Sequence, residues 1–387
     1  MQFCMFRRIS MAVICILVIS LGKSTYGQIG SGDVDGRVNT INTAVPFLRI
    51  SPDARSGAMG DVGVAISPDA NSVYWNLSKL PFATKKAGVS VTYTPWLKEL
   101  VDDVFLATLS GYTQLDEYQA IGGSLRYFSL GNINFTDITG QSTGEYRPRE
   151  FALDAGYARK LSDNWSIGLT ARYIYSNLAS GQNSSGQTIR PGKSFAVDIS
   201  TFYTKDFERE DGYYNRFNFG AAITNIGTKI SYTQSALQKD FIPTNLGVGV
   251  AYTYQIDDLN KITGAFDVNK LLVPTPDSSR SYLDKSVLEG MFSSFGDASF
   301  SEELHELMFS FGAEYWYNDM FAVRGGYYNE HATKGNRKYF TTGLGVKYDI
   351  FGLNFSYLVP TGGGTQRNPL SNTLRFTLTF DLGNNDQ

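Results

Sequence analysis

Residues 372–381 read Asn-Thr-Leu-Arg-Phe-Thr-Leu-Thr-Phe-Asp, and their alternation decides the fold class. Successive side chains of an extended strand point to opposite faces. Leu374, Phe376, Leu378 and Phe380 therefore share one face, with Thr373, Arg375, Thr377, Thr379 and Asp381 on the other. One apolar face backed by hydroxyls and charges suits a sheet that separates lipid from a polar lumen. The edge of a soluble sandwich could carry one such stretch, so recurrence upstream discriminates.

The pattern recurs from Lys86 onward. The period-2 segments are 87–96, 103–114, 118–130, 148–160, 164–178, 192–204 and 213–225 in the first half. The second half adds 243–255, 260–271, 304–317, 320–329, 337–350, 352–360 and 372–381. That makes fourteen, an even number, as single-chain bacterial barrels have. Short connections (115–117, 161–163, 256–259, 318–319 and a corner near Phe351) alternate with long ones (131–147, 179–191, 226–242, 272–303, 361–371). The charged run 205–212 is longer than this parity expects. The fold expected is all-β: a transmembrane antiparallel β-barrel of 14 strands over 86–387, with extracellular long loops and a periplasmic N-terminus. Abundant aromatic residues (24 Tyr, 26 Phe) and 39 Gly fit interfacial girdles and crowded strands. On the polar face, Arg126, Asp154, Arg172, Asp198 and Arg375 are expected to look into the lumen, because an Arg or Lys at the lipid midplane costs about 2–4 kcal/mol.

Upstream, Arg7 and Arg8 precede the apolar run Met11–Leu21, and Thr25-Tyr26-Gly27 offers small residues for cleavage before Gln28. Residues 1–27 read as a signal peptide, the run being short for a spanning helix of about 20 residues. Both cysteines, Cys4 and Cys15, fall inside it. Residues 28–85 read as a mobile periplasmic leader followed by a hatch-like segment. Gly57, Gly60 and Gly63 have the density of a backbone packed in a narrow space, and Trp75 and Asn76 follow a turn cluster. Val73, Trp75 and Leu77 fit either an ordinary core or a packed plug.

The 37 acidic residues outnumber the 34 basic ones, which argues against nucleic acid as a partner. No catalytic site, metal site or cofactor is expected. The two histidines, His305 on a strand end and His331 in a loop, are the principal candidate bases near neutral pH. Ser301, Ser310 and Glu302 could be drawn into a triad with His305, but serines and glutamates are dense there and chance explains the grouping better. Asp206, Glu208, Glu210 and Asp211 lack the spaced ligands of a calcium loop and read as a charged turn. In the loop 272–303, Leu283, Val287, Leu288, Met291, Phe292 and Phe295 approximate one face of a short amphipathic helix. Such an apolar face needs cover from the barrel mouth or from a partner.

The fourteen-strand plan with a small-residue N-terminal segment resembles the FadL family of outer-membrane hydrophobic-solute channels. Within it, Ala44–Leu80 (AVPFLRISPDARSGAMGDVGVAISPDANSVYWNLSKL) resembles the PorV family, also described as LptO, of the Bacteroidetes type IX secretion system. Members often carry Asn-Pro-Ala where this chain has Asn76-Leu77-Ser78. The resemblance implies a non-enzymatic barrel that associates with the giant translocon barrel (Sov/SprA-like) in the outer membrane, amid its lipid and LPS. It further implies receipt of secreted proteins by their C-terminal signal domains and their transfer to a PorU-type attachment complex. A diffusion channel for apolar solutes and a lipid A deacylase are the alternatives.

Overall fold

The computed structural model describes residues 39–384 apart from 98–100, 137–138, 182, 185–186, 234–238, 277–279 and 362–372. Residues 1–38, read above as signal peptide and the start of the leader, thus lie outside the described residues. Fourteen antiparallel strands close into a barrel. They are β1 (Lys85–Pro95), β2 (Val104–Gln114), β3 (Gln119–Leu130), β4 (Arg149–Lys160), β5 (Trp165–Asn177), β6 (Gly192–Glu208) and β7 (Tyr214–Gly227). Then come β8 (Asn245–Gln255), β9 (Asn260–Leu271), β10 (Met308–Tyr317), β11 (Phe321–Asn329), β12 (Lys338–Tyr348), β13 (Phe351–Pro360) and β14 (Leu374–Asn384). The seam pairs β1 with β14, setting Val91 opposite Leu378 and Tyr93 opposite Phe376.

Alternation does what the sequence requires of it. Arg375 and Thr377 are buried inside, while Phe376 and Leu378 are exposed outside. Leu153, Leu169, Ile199, Val323, Leu344 and Leu353 join them on a continuous apolar outer surface. In water that surface would be unstable; against lipid it is the membrane-facing belt.

Two segments of the barrel region differ from the sequence reading. The run 205–212 is no long turn: β6 continues to Glu208, and Arg209–Tyr213 alone makes the reversal, with Gly212 at φ 84°. Arg216 and Asp206 pair across the extended hairpin at 2.6 Å, and Arg209 pairs with Asp211 within the turn. Parity of short turns and long loops is therefore kept. The second difference is His305, which lies in a helix, Phe300–His305, because the Ser299 side chain caps that helix by accepting from the Glu302 backbone N–H. β10 begins only at Met308.

The N-terminal segment runs lengthwise through the lumen. Asn39 donates to the Thr333 carbonyl and Ala44 to the Phe241 carbonyl, both at the long-loop end. Ile41 packs there with Phe241, Val273 and Tyr339. Farther on, Val73, Leu77 and Leu80 pack with Ala120 and Ala158 near the short turns, where β1 starts. The sequence reading placed the leader at the opposite, short-turn end; its first described residues, Asn39 and Thr40, instead lie on the long-loop side, held by these contacts.

Candidate functional site

The lumen is packed at the level of backbone. Segment 46–82 forms only short turns: Pro46–Arg49, α1 (Ala54–Gly57), α2 (Ser72–Trp75) and Leu77–Phe82. Nearly every unpaired backbone group of such a segment needs a partner when buried, and the wall supplies them. Thr377 Oγ1 accepts from the Ala54 N–H at 2.8 Å, and Thr341 Oγ1 from that of Gly60 at 2.8 Å. Asp267 takes the N–H groups of Gly63 and Val64 at 2.7 and 2.9 Å. Asn76 Nδ2 donates to the Val64 carbonyl and to the Thr201 carbonyl of β6, each at 3.0 Å. Asn76 thus closes the turn at Asn76-Leu77-Ser78 without a proline.

Close approach explains the glycines. Gly60 sits at φ 69°, and a Cβ on Gly326 of β11 would stand 2.1 Å from the Gly60 nitrogen. A Cβ on Gly63 would stand 2.0 Å from the Trp75 ring. Trp75 is half-buried and donates from Nε1 to Asp53 at 2.9 Å. Gly57 lies against Arg375, whose guanidinium is 3.8 Å from Asp61.

Four of the five lumen residues read from the sequence are brought together. Arg172 binds Asp154 at 2.6 Å and Asp198 at 2.8 Å, and Arg126 stands 3.6 Å from Asp154. A bulge in β7 adds Asn225, which bonds Arg172 and donates its N–H to Asp198 at 2.6 Å. Arg126 also lies 4.8 Å from the centroid of the Tyr74 ring, so the plug joins the lattice. Arg375 stays apart from it. A second lattice was missed: Arg55 of the plug chelates Glu314 of β10 at 2.8 and 2.9 Å, and Arg324 of β11 bonds Glu314 at 2.7 Å. Glu314 follows inward-facing Ser310 and Gly312 by period two, a signal that was available. Between plug and wall remains a cavity of about 100 Å³, lined by Arg49, Asp61, Arg172, Asn245 and Arg337 among others.

At the mouth, the loop 272–307 folds against its neighbours. It contains a 3₁₀ turn (Ser281–Asp284), α3 (Val287–Ser293) and α4 (Phe300–His305). Ser286 and Glu289 form a capping box at the start of α3. Lys229 donates to the Leu283 carbonyl at 2.7 Å, and Phe241 packs on Gly290. Glu303 and Glu306 engage Lys270 of β9, while Glu302 and Glu306 engage Lys334. The His305 and His331 rings stack at 3.5 Å between centroids. Burial alone would raise the Glu302 carboxyl, but Lys334 and His305 outweigh it and hold the group below the usual range. Glu330 is likewise held low, with Arg337 and Arg49 overcoming its burial.

The six apolar loop residues separate into two sets. Leu283 and Met291 are buried and anchor the loop, and Val287 is half-buried. Leu288, Phe292 and Phe295 are exposed, Phe292 at 76%, and Phe295 lies beyond the end of α3. Phe300 and Leu304 of α4 extend the exposed ledge. Among the described residues no group of three His, Cys, Asp or Glu side chains could hold a metal ion.

A membrane-spanning β-barrel whose lumen is filled by its own N-terminal segment is the class that fold and site define. The family described as type IX secretion system protein PorV matches residues 33–278, more than half of the chain, and the chain belongs to that family. It is accordingly an outer-membrane component of type IX secretion. Among solved structures it is similar to the toluene transporter TbuX of Ralstonia pickettii, at 12% identity over 86% of this chain and 98% of that one, TM-score 0.49. It is also similar to the P. putida toluene transporter TodX, at 11% identity over 87% and 100%, TM-score 0.48. A Pseudomonas aeruginosa FadL homologue aligns at 10% identity over 88% and 99%, TM-score 0.42. No curated protein matches the sequence.

Proposed function

We propose that this barrel is a non-enzymatic docking component of the secretion system. It associates with the giant translocon barrel, receives clients by their C-terminal signal domains and passes them to the PorU-type attachment complex. The observation that carries this reading is the exposed ledge of Leu288, Phe292, Phe295, Phe300 and Leu304, held in place by loop anchors and ion pairs. Large apolar side chains presented on a fixed support are what dominates protein interfaces. The filled lumen supports docking over diffusion of apolar solutes, since the residual cavity is small and edged by arginines. The stacked histidines favour loop support over hydrolysis: with two Glu–Lys clusters around them, they tie α4 to the loop 330–337.

Leu288→Ser/Phe292→Ser/Phe295→Ser is expected to insert normally, shown by heat-modifiable gel migration, because none of the three is buried. Co-purification with the translocon barrel should fall at least tenfold, since each truncated interface anchor costs about 2 kcal/mol or more. Clients should accumulate in the periplasm. Secretion at the parental level by the folded variant would remove the ledge from the mechanism.

In this reading the long loops face outward. Cysteine at Asp297, on the loop bearing the ledge, should react with an impermeant maleimide on intact cells, and cysteine at Asp163, in a short turn, should not. The reverse pattern would invert the barrel and defeat docking at the cell surface.

A further inference from the structure

A groove of about 630 Å³ opens on the membrane-facing wall where β4, β5, β6 and β7 meet the loop helix α3. Its floor is made by small outward residues, Ala155 and Ala171, which are paired in register. Leu153, Tyr173, Phe195 and Val197 form its sides, and Val287 and Leu288 of α3 close it from the long-loop end. The lining is almost wholly apolar.

The rows of outward side chains above this floor follow a chemical order. Ala155, Ala171 and Val197 stand in one row, and Leu153, Tyr173 and Phe195 in the next. Phe151, Tyr175 and Lys193 follow, and Arg149 with Asn177 comes last, at the loop end. Phe151 stacks on Tyr175 at 5.0 Å, and Tyr173 meets Phe195 at 5.1 Å. An aromatic girdle marks the headgroup level of a bilayer. Two exposed cations, Lys193 and Arg149, therefore sit at that level, directly above an apolar furrow continuous with the lipid-facing belt. Neither enters a salt bridge among the described residues. The loop carboxylates Asp284, Glu289 and Asp240 act electrostatically on Lys229.

We propose that this furrow is a binding site for one lipid of the surrounding leaflet whose phosphate headgroup carries net negative charge. An acyl chain lies over Ala155 and Ala171 beneath Leu288, and its phosphate meets Lys193 and Arg149. A bound lipid would support α3 from below and complete the wall at the β7 bulge. The site shares Leu288 with the ledge, but its floor and its cations lie on the barrel wall, so Ala171→Trp and Lys193→Gln test it apart from docking by Phe292 and Phe295.

Native mass spectrometry of the full-length barrel in mild detergent tests this, with dimyristoyl phosphatidylglycerol and dimyristoyl phosphatidylcholine as probes. The parent should retain one phosphatidylglycerol in preference to phosphatidylcholine. Ala171→Trp fills the floor from the lipid side and should abolish retention; Ala155→Leu should weaken it and serves if the first variant fails to fold. Lys193→Gln should weaken retention of phosphatidylglycerol about fivefold, the value of one basic group at an anionic surface, and leave phosphatidylcholine unchanged. Equal retention of both lipids, or retention indifferent to these variants, would overturn the proposal. So would cross-linking of Phe195→Cys to a translocon subunit with no lipid retained, which would make the furrow a protein contact.

Discussion

Arg172→Ala lowers the stability of the barrel by about 3–5 kcal/mol, the cost of stranding buried carboxylates without their partner. Arg172 is 3% exposed and serves Asp154, Asp198 and Asn225 at once, so its removal leaves two buried acidic groups without their shared cation. Arg126 is 3.6 Å from Asp154 and engaged with Tyr74, too far to replace it. The measurement is denaturant unfolding in detergent, read as the midpoint of heat-modifiable migration. Adding Asp154→Asn and Asp198→Asn to Arg172→Ala should recover most of the loss, because the stranded charges are then gone. A single variant as stable as the parent would show that the lattice is solvated and the lumen wetter than its packing implies.

Gly326→Val expels the plug or prevents the barrel from closing around it. The first atom added would stand 2.1 Å from backbone atoms of Met59 and Gly60, and backbone cannot swing away as a flexible side chain can. The cost therefore exceeds the about 1–3 kcal/mol usual for an overpacked core. Gly264→Val is the matched control, since a Cβ there meets nothing within 4 Å. The Gly326 variant should show protease cleavage within 54–80 and raised single-channel conductance in planar bilayers, or fail to gain heat-modifiable migration. The control should behave as the parent. A Gly326 variant with a protected segment and parental conductance would mean that plug and wall slide past each other freely.

Legibility in the sequence followed the period of the environment. Lipid on one side and a polar lumen on the other impose alternation on every strand, so Leu374 to Phe380 announced their faces without any tertiary knowledge. Arg126, Asp154, Arg172 and Asp198 were placed inward by the same rule. Which of them touch was not legible, because register between strands decides it; Arg375 obeys the rule yet stands beside Asp61 of the plug and not in that lattice. Arg55 and Glu314 are 259 residues apart, and nothing local in either stretch names the other. The loop 272–307 was harder. Its apolar spacing suited one continuous helix, but the capping box at Ser286 and Glu289 starts α3 late, and Met291 turns inward while Phe292 turns out. His305 was misplaced because Phe300, Leu304 and Met308 continue apolar spacing into β10, and only the Ser299 cap separates helix from strand.

The lengthwise course of residues 39–84 bears on how the molecule is made. Ala54 hydrogen-bonds Thr377 on the last strand, 323 residues later, and Thr92 of the first strand bonds the same hydroxyl. The plug therefore lies beneath the join where the two ends of the sheet meet. Threading a polar chain through a finished ring would strip its backbone of water before any wall partner was in reach. Wrapping the growing sheet around it, with the join zipped last, satisfies each group as it is enclosed. The N-terminal segment on that account has the place of a mandrel: it lies under the join, where a sheet closing around it would enclose its core and its hydrogen-bond partners together.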